Sequence, residues 1–144
     1  MVTPMRILVR MKAKVLVVDD EPEFLELIEF NLTRQGFEVL TARNGMHGLH
    51  RARADLPDVI LVDLMLPDID GISVCEILRA QPSTHDIPLI MLSASEWHAA
   101  GNRWKTAQVT RYFNKPIDMK TLGASLLAAS EQRKLALNSL IAAT

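Results

Sequence analysis

Val59-Ile60-Leu61-Val62-Asp63-Leu64-Met65-Leu66-Pro67-Asp68-Ile69-Asp70-Gly71 is the stretch on which the fold turns. Its first four residues are unbroken apolar and rich in β-branched side chains, the pattern of a parallel strand covered on both faces by helices. The run ends on a carboxylate. Gly71 then precedes an amphipathic segment that carries Ile72, Cys75 and Leu78 on one side. Val15-Leu16-Val17-Val18 and Leu89-Ile90-Met91-Leu92 are runs of the same kind, so three central strands are expected. Phe37-Glu38-Val39-Leu40-Thr41 is interrupted by a charge and Tyr112-Phe113 is very short, so these two read as the edges of the sheet.

Helical patterns lie between the strands. Phe24, Leu27, Ile28 and Leu32 fall at the spacing of one buried stripe, with Pro22 suited to the first turn and Gly36 to the stop. Asn44-Gly45 opens a second helix running to about Ala54, a fourth is expected from Glu96 to Ala107, and the fifth starts at the N-cap Asp118. Its stripe continues through Leu122, Leu126 and Ala129 towards Leu140. Five strands alternating with five helices, joined by right-handed crossovers, give an α/β doubly wound parallel sheet with helices on both faces. With strands 2 and 5 at the edges, the order is 2-1-3-4-5, which general fold rules assign to flavodoxin-like sheets.

Composition narrows the function. The 144 residues are 49% hydrophobic and 23% charged, which fits one globular domain. Sixteen Lys and Arg balance 17 Asp and Glu for a net charge of −1, so the overall field does not favour direct nucleic-acid binding. Cys75 is the single cysteine and packs as a small apolar residue; no apolar run approaches the roughly 20 residues of a membrane span, nor is there a secretory signal. A reducing cytoplasm is the expected setting. His47 and His50 lack a third metal ligand, and no lysine-containing phosphate loop follows the first strand, so neither a histidine metal site nor ATP binding is supported.

In a sheet of this type ligands bind beyond the carboxyl ends of the strands. Strand 1 runs into Asp19-Asp20-Glu21, strand 3 into Asp63, strand 4 into Ser93, and strand 5 through Asn114 into Lys115-Pro116. Singly, each has a bland reading: an Asp pair caps a helix or turn, a Ser sits in a turn, a Lys is a solvated charge. Together they form one site. Three aspartates there repel each other and raise at least one pKa unless a cation neutralises them, and oxygen-only ligands favour Mg²⁺. Asp63 is then a carboxylate able to attack phosphorus, while the metal, Lys115 and Ser93 can hold the phosphoryl oxygens.

These residues resemble the receiver domains of two-component response regulators, over about Lys14 to Ser130. The resemblance rests on Val17-Val18-Asp19-Asp20-Glu21, on Val62 to Gly71, on Leu92-Ser93-Ala94 and on Tyr112-Phe113-Asn114-Lys115-Pro116. Thirty residues separate Asp63 from Ser93 and 22 separate Ser93 from Lys115, intervals that also match the family. The resemblance implies that Asp63 is the phosphorylated aspartate and that Asp20 binds Mg²⁺ directly. Asp19 would act mainly through metal-bound water, and the Met65 backbone carbonyl would be the third protein ligand. It further implies that Lys115 contacts the phosphoryl group ahead of a cis Pro116, that Ser93 and Tyr112 form the switch pair, and that the small Ala94 lets the donor approach. The implied partners are a histidine kinase or histidine phosphotransfer protein and a downstream protein target.

Residues 1–13 read as a leader, 14–131 as the receiver and 132–144 as an extension of the last helix, which leaves no room in these residues for an output domain of typical size. Met11 is an alternative start. Leu135, Leu137, Leu140 and Ile141 keep the extension apolar, so it is expected to be helical to about residue 142 and to pack on its own domain or on a second copy in a homodimer. Where many receivers have a glycine-containing turn before strand 5, this chain has Gln108, Val109, Thr110 and Arg111. Trp97, Ala100, Trp104 and Ala107 stripe the fourth helix, either buried against the sheet or exposed to a partner. Two rival readings are a pseudo-receiver that works without phosphorylation, which would require a missing site residue, and a phosphatase, which would want an Asp where Glu21 stands.

Overall fold

The computed structural model describes residues 12–94 and 103–143. Strands β1 (Lys14–Val18), β2 (Glu38–Ala42), β3 (Val59–Asp63), β4 (Leu89–Ser93) and β5 (Arg111–Asn114) form one parallel sheet in the order β2-β1-β3-β4-β5. Between and after them run α1 (Pro22–Arg34), α2 (Gly45–Asp55), α3 (Gly71–Ala80), the short α4 (Arg103–Thr106) and α5 (Met119–Ala143). The expected fold class and strand order are those observed.

The unbroken apolar runs are explained by two cores. Leu16, Val18, Ile60, Val62, Leu89 and Met91 face α2 and α3, together with Leu49, Ala52, Ile72, Cys75 and Leu78. Their sequence neighbours Val15, Val17, Val59, Leu61, Ile90 and Leu92 face α1 and α5, together with Leu25, Ile28, Leu32, Leu122, Leu126 and Ala129. Since successive strand side chains alternate between faces, a strand covered on both sides has no position left for a polar residue. The edges differ as expected: β2 and β5 are buried only in part.

Local signals set the boundaries. Asn44 and Asp118 accept hydrogen bonds from the backbone N–H groups of His47 and Thr121 at 2.8 and 3.0 Å, and Gly36 takes φ +101° after α1. The turn without glycine holds Gln108 at φ 53°. There the Arg79 guanidinium donates to the carbonyls of His85, Ile87 and Gln108 at 2.6–2.9 Å, pinning the turn to the end of α3.

One expectation is corrected. Leu27 is not part of the buried stripe of α1: it is exposed, and Leu25, Ile28 and Leu32 are buried instead. At 100° per residue Leu27 lies well over 90° from the centre of that trio, so its side chain points to water. The helical extension of α5 reaches Ala143, as expected, and Leu135, Leu137 and Leu140 on its end are exposed. Arithmetic explains the overshoot: 25 helical residues span about 38 Å, whereas the five-residue strands beneath span about 17 Å. Arg133, paired with Asp58 and Asp86 at 3.8 and 3.6 Å, marks the edge of the domain. Of the expected fourth helix, Arg103–Thr106 is helical; its earlier part, with Trp97 and Ala100, and the side chain of Trp104 lie outside the described residues.

Candidate functional site

Register brings the carboxylates together. β1 pairs with β3 so that Val18 stands opposite Val62, which sets Asp19 beside Asp63 one residue further on. Asp63 is itself opposite Leu92, and Ser93 is opposite Asn114, just before Lys115. Asp19, Asp63 and Ser93 therefore lie at the carboxyl ends of three adjacent strands and are themselves buried, while Asp20 is exposed at the rim. Carboxylate oxygens of Asp19, Asp20 and Asp63 all lie within 4.8 Å of one another.

Lys115 closes the cluster. Its backbone N–H donates to the Ser93 carbonyl at 2.9 Å, and its ammonium donates to Asp19 Oδ2 at 2.7 Å and Glu21 Oε1 at 3.1 Å. Asp63 Oδ2 is 3.7 Å away. The Lys115–Pro116 peptide is cis. A hollow of about 250 Å³ opens here, lined by Asp20, Glu21, Asp63, Met65, Ser93, Ala94 and Lys115. Tyr112 is half-buried on β5, packed against the core on the α2 and α3 side of the sheet.

The electrostatics carry a surplus of negative charge. Burial, followed by the charge of Asp19, pushes the Asp63 carboxyl up to about 6. Burial also raises Asp19, against the opposing hydrogen bond from Lys115. Burial works against the Lys115 ammonium, but the hydrogen bond to Asp19 and the charges of Asp19 and Asp63 outweigh it and hold its pKa above the usual lysine value. Tyr112 is pushed up to about 12 by burial and then by Asp63. One ammonium does not neutralise three carboxylates, and an oxygen-only donor set of this charge suits a hard divalent cation.

The loop after β3 is fixed by backbone contacts. Asp68 accepts from the Gly45 and Met46 N–H groups, both at 2.8 Å, so it ties the loop to the N-terminus of α2. Gly71 N–H donates to the Leu64 carbonyl at 2.8 Å, and a Cβ on Gly71 would lie 2.2 Å from the Asp63 carbonyl oxygen. Only glycine permits that approach. Asp70 caps α3 through Ser73 N–H at 2.8 Å.

Of the site residues read from the sequence, Asp20, Asp63, Met65, Ser93, Ala94 and Lys115 line this hollow, Asp19 meets it through Lys115, and Tyr112 is not among its lining residues. Two contributors were not legible in the sequence: Phe24 looked like core and Asp68 like a loop residue, and their partners are up to 91 residues away in the chain, with no local pattern to announce them.

Comparison with known protein families matches residues 15–127 to the response regulator receiver domain. The chain belongs to the response regulator receiver family. Among curated relatives, this receiver is 35% identical over 126 residues to the alkaline phosphatase synthesis transcriptional regulatory protein PhoP of Bacillus subtilis, covering 88% of this chain and 52% of that protein. It is 38% identical over 108 residues to the response regulator PleD of Caulobacter vibrioides, covering 75% of this chain and 24% of the relative. The chain thus spans between a quarter and about half the length of these relatives. Among solved structures, a CheY-like receiver domain protein from Methanospirillum hungatei superposes with a TM-score of 0.82 over 88% of this chain and 99% of its own, at 21% identity, which speaks to the fold. The chemotaxis response regulator CheY4 of Vibrio cholerae gives a TM-score of 0.76 at 28% identity, over 83% of this chain and 99% of its own. Among the described residues no helix is long and apolar enough to cross a membrane.

Proposed function

We propose that this receiver accepts a phosphoryl group on Asp63 from a histidine kinase or a histidine phosphotransfer protein and thereby switches a protein-interaction surface. The observation that carries the proposal is the placement of Asp63: a buried carboxylate at the end of a central strand, 3.7 Å from an ammonium and open to a hollow of about 250 Å³. Asp19, Asp20, Asp63 and the Met65 backbone carbonyl are the groups to hold Mg²⁺, which when bound neutralises the carboxylates and the charge gathering on the phosphoryl oxygens.

An Asp63 carboxylate oxygen forms the new O–P bond while the P–N bond to the donor imidazole breaks, and the electron pair leaves with the imidazole nitrogen, which takes up a proton. The Lys115 ammonium and the Ser93 hydroxyl hold phosphoryl oxygens as they gain charge. Small Ala94 at the mouth leaves room for the donor ring. Slow hydrolysis of the acyl phosphate resets the switch. None of the matching site residues is replaced, which is what the pseudo-receiver reading would need.

Readout runs through neighbouring strands. Ser93 ends β4 and Tyr112 stands on β5 beside it, so a Ser93 hydroxyl drawn to the phosphoryl group and a Tyr112 ring turned inward form one two-state element. The partners are the phosphoryl donor, a downstream protein that reads the face of α4, β5 and α5, and a second copy of this chain at the projecting end of α5, where residues 135–143 carry no charge. Residues 14–131 form the receiver unit and 132–144 the helical extension. A cytoplasmic setting goes with this assignment.

The test is incubation of the full chain with Mg²⁺ and a small acyl phosphate, separating phosphorylated from unmodified protein on a phosphate-affinity gel. A shifted band that is lost with a chelator is expected; no shift at saturating donor and Mg²⁺ overturns the proposal.

A further inference from the structure

Lys115 has a neighbour that the scheme above does not use. Its ammonium lies 4.1 Å from the centroid of the Phe24 ring, well inside the roughly 6 Å over which a cation is attracted to an aromatic face. We infer that Phe24 is a positioning residue for phosphoryl transfer: its ring face holds the Lys115 ammonium at the mouth of the site independently of the carboxylates. The inference rests on the assignment of Asp63 as phosphoryl acceptor.

The other partners of the ammonium are carboxylates. Asp19 at 2.7 Å and Asp63 at 3.7 Å are residues assigned to the metal ion, and an oxygen lone pair given to a divalent cation is not given to an N–H donor. Glu21 at 3.1 Å is 62% exposed, so its pairing is solvent-screened and weak. Every oxygen partner of Lys115 is therefore either shared or screened. The ring is neither. It has no oxygen donor to offer a metal, it does not titrate, and the Lys115 side chain it faces is only 11% exposed, where a cation–ring attraction is strengthened by desolvation.

Phe24 is also packed in place. It sits in the first turn of α1, half-buried, packed against the core between the sheet, α1 and α5. The buried stripe of that helix is already supplied by Leu25, Ile28 and Leu32, so Phe24 is not required to complete it. The opposite anchor is the Lys115 backbone, bonded to the Ser93 carbonyl at 2.9 Å. The ammonium is thus held between the Phe24 ring and the acidic cluster, 3.7 Å from Asp63.

A fluorination series separates this role from simple packing, because ring fluorines drain the negative face while changing shape little. The full chain carrying 4-fluoro-, 3,5-difluoro- or 3,4,5-trifluorophenylalanine at position 24 is phosphorylated with a small acyl phosphate at saturating Mg²⁺, and the rate constant is read alongside the melting temperature. The rate is expected to fall stepwise, by about two- to tenfold across the series, with the melting temperature falling by no more than the few degrees that the weakened cation–ring attraction itself accounts for. In the Lys115→Met background the series is expected to be flat; Phe24→Leu should match the trifluoro protein, and Phe24→Tyr should recover the wild-type rate. A readout free of turnover is the Lys115 side-chain methylene resonances, expected upfield from the ring current both without and with Mg²⁺ and normal in Phe24→Leu. A flat series in an otherwise active wild-type chain, a slope that persists in Lys115→Met, or the absence of the upfield shift overturns the role of Phe24. A wild-type chain that takes no phosphoryl group overturns the assignment of Asp63 beneath it.

Discussion

Asp63 holds its proton harder than an isolated aspartate, at about 6 against 3.8, because it is buried beside Asp19. The folded chain therefore binds more protons than the unfolded one between about pH 4 and pH 6, so this group's contribution to stability is present below about pH 4 and is lost as pH rises through about 6. At pH 7 the chelator-treated protein bears that cost in full. Asp63→Asn, which keeps the shape and removes the charge, is expected to stabilise it by about 1–3 kcal/mol at pH 7, with the gain shrinking towards pH 4. Urea unfolding at the two pH values reads this directly, and equal stability of the two proteins at pH 7 would contradict it. At this scale the sequence showed which residue types end each strand, and so the acidic cluster with Lys115 and Ser93. It did not show that the ammonium rests on Phe24 and Glu21, because such contacts depend on side-chain directions across residues far apart in the chain.

The element that supports the site is the loop from Leu64 to Asp70, held at one end by Asp68 on the N-terminus of α2 and at the other by Gly71 against the Asp63 carbonyl. Asp68→Ala leaves two N–H groups of α2 without their acceptor and is expected to cost about 1 kcal/mol in denaturant unfolding, with Asp68→Asn recovering part of it. An unchanged midpoint for Asp68→Ala would show that water replaces the carboxylate at no cost. Gly71→Ala places a methyl where backbone stands and is expected to cost about 2 kcal/mol or more and to slow phosphorylation at the same time. Strands and caps were legible from apolar runs and from Asn44, Asp70 and Asp118. The face of α1 was not read correctly, since Leu25 and Leu27 both fit an apolar stripe within one turn's tolerance and only packing decides between them.

The whole molecule is a two-sided sheet whose last helix outruns it. The apolar stripe that is buried as Leu122, Leu126 and Ala129 continues past Arg133 as the exposed Leu137 and Leu140. Sedimentation velocity at rising concentration is expected to show dimers, and Leu137→Glu with Leu140→Glu to return the chain to monomer with its phosphorylation intact; a monomer at every concentration would remove the second copy as a partner. Fold class and strand order were readable because alternating short and long apolar segments leave few topologies. Where the last helix packs was not readable, because an apolar stripe names a need for a partner and not the partner.

The assignment of Asp63 as phosphoryl acceptor is decided by the mass of the intact chain. After incubation with Mg²⁺ and a small acyl phosphate, the expected result is a gain of one phosphoryl group by the wild-type chain and none by Asp63→Asn. A wild-type chain that gains nothing, or a gain that survives Asp63→Asn, would contradict it.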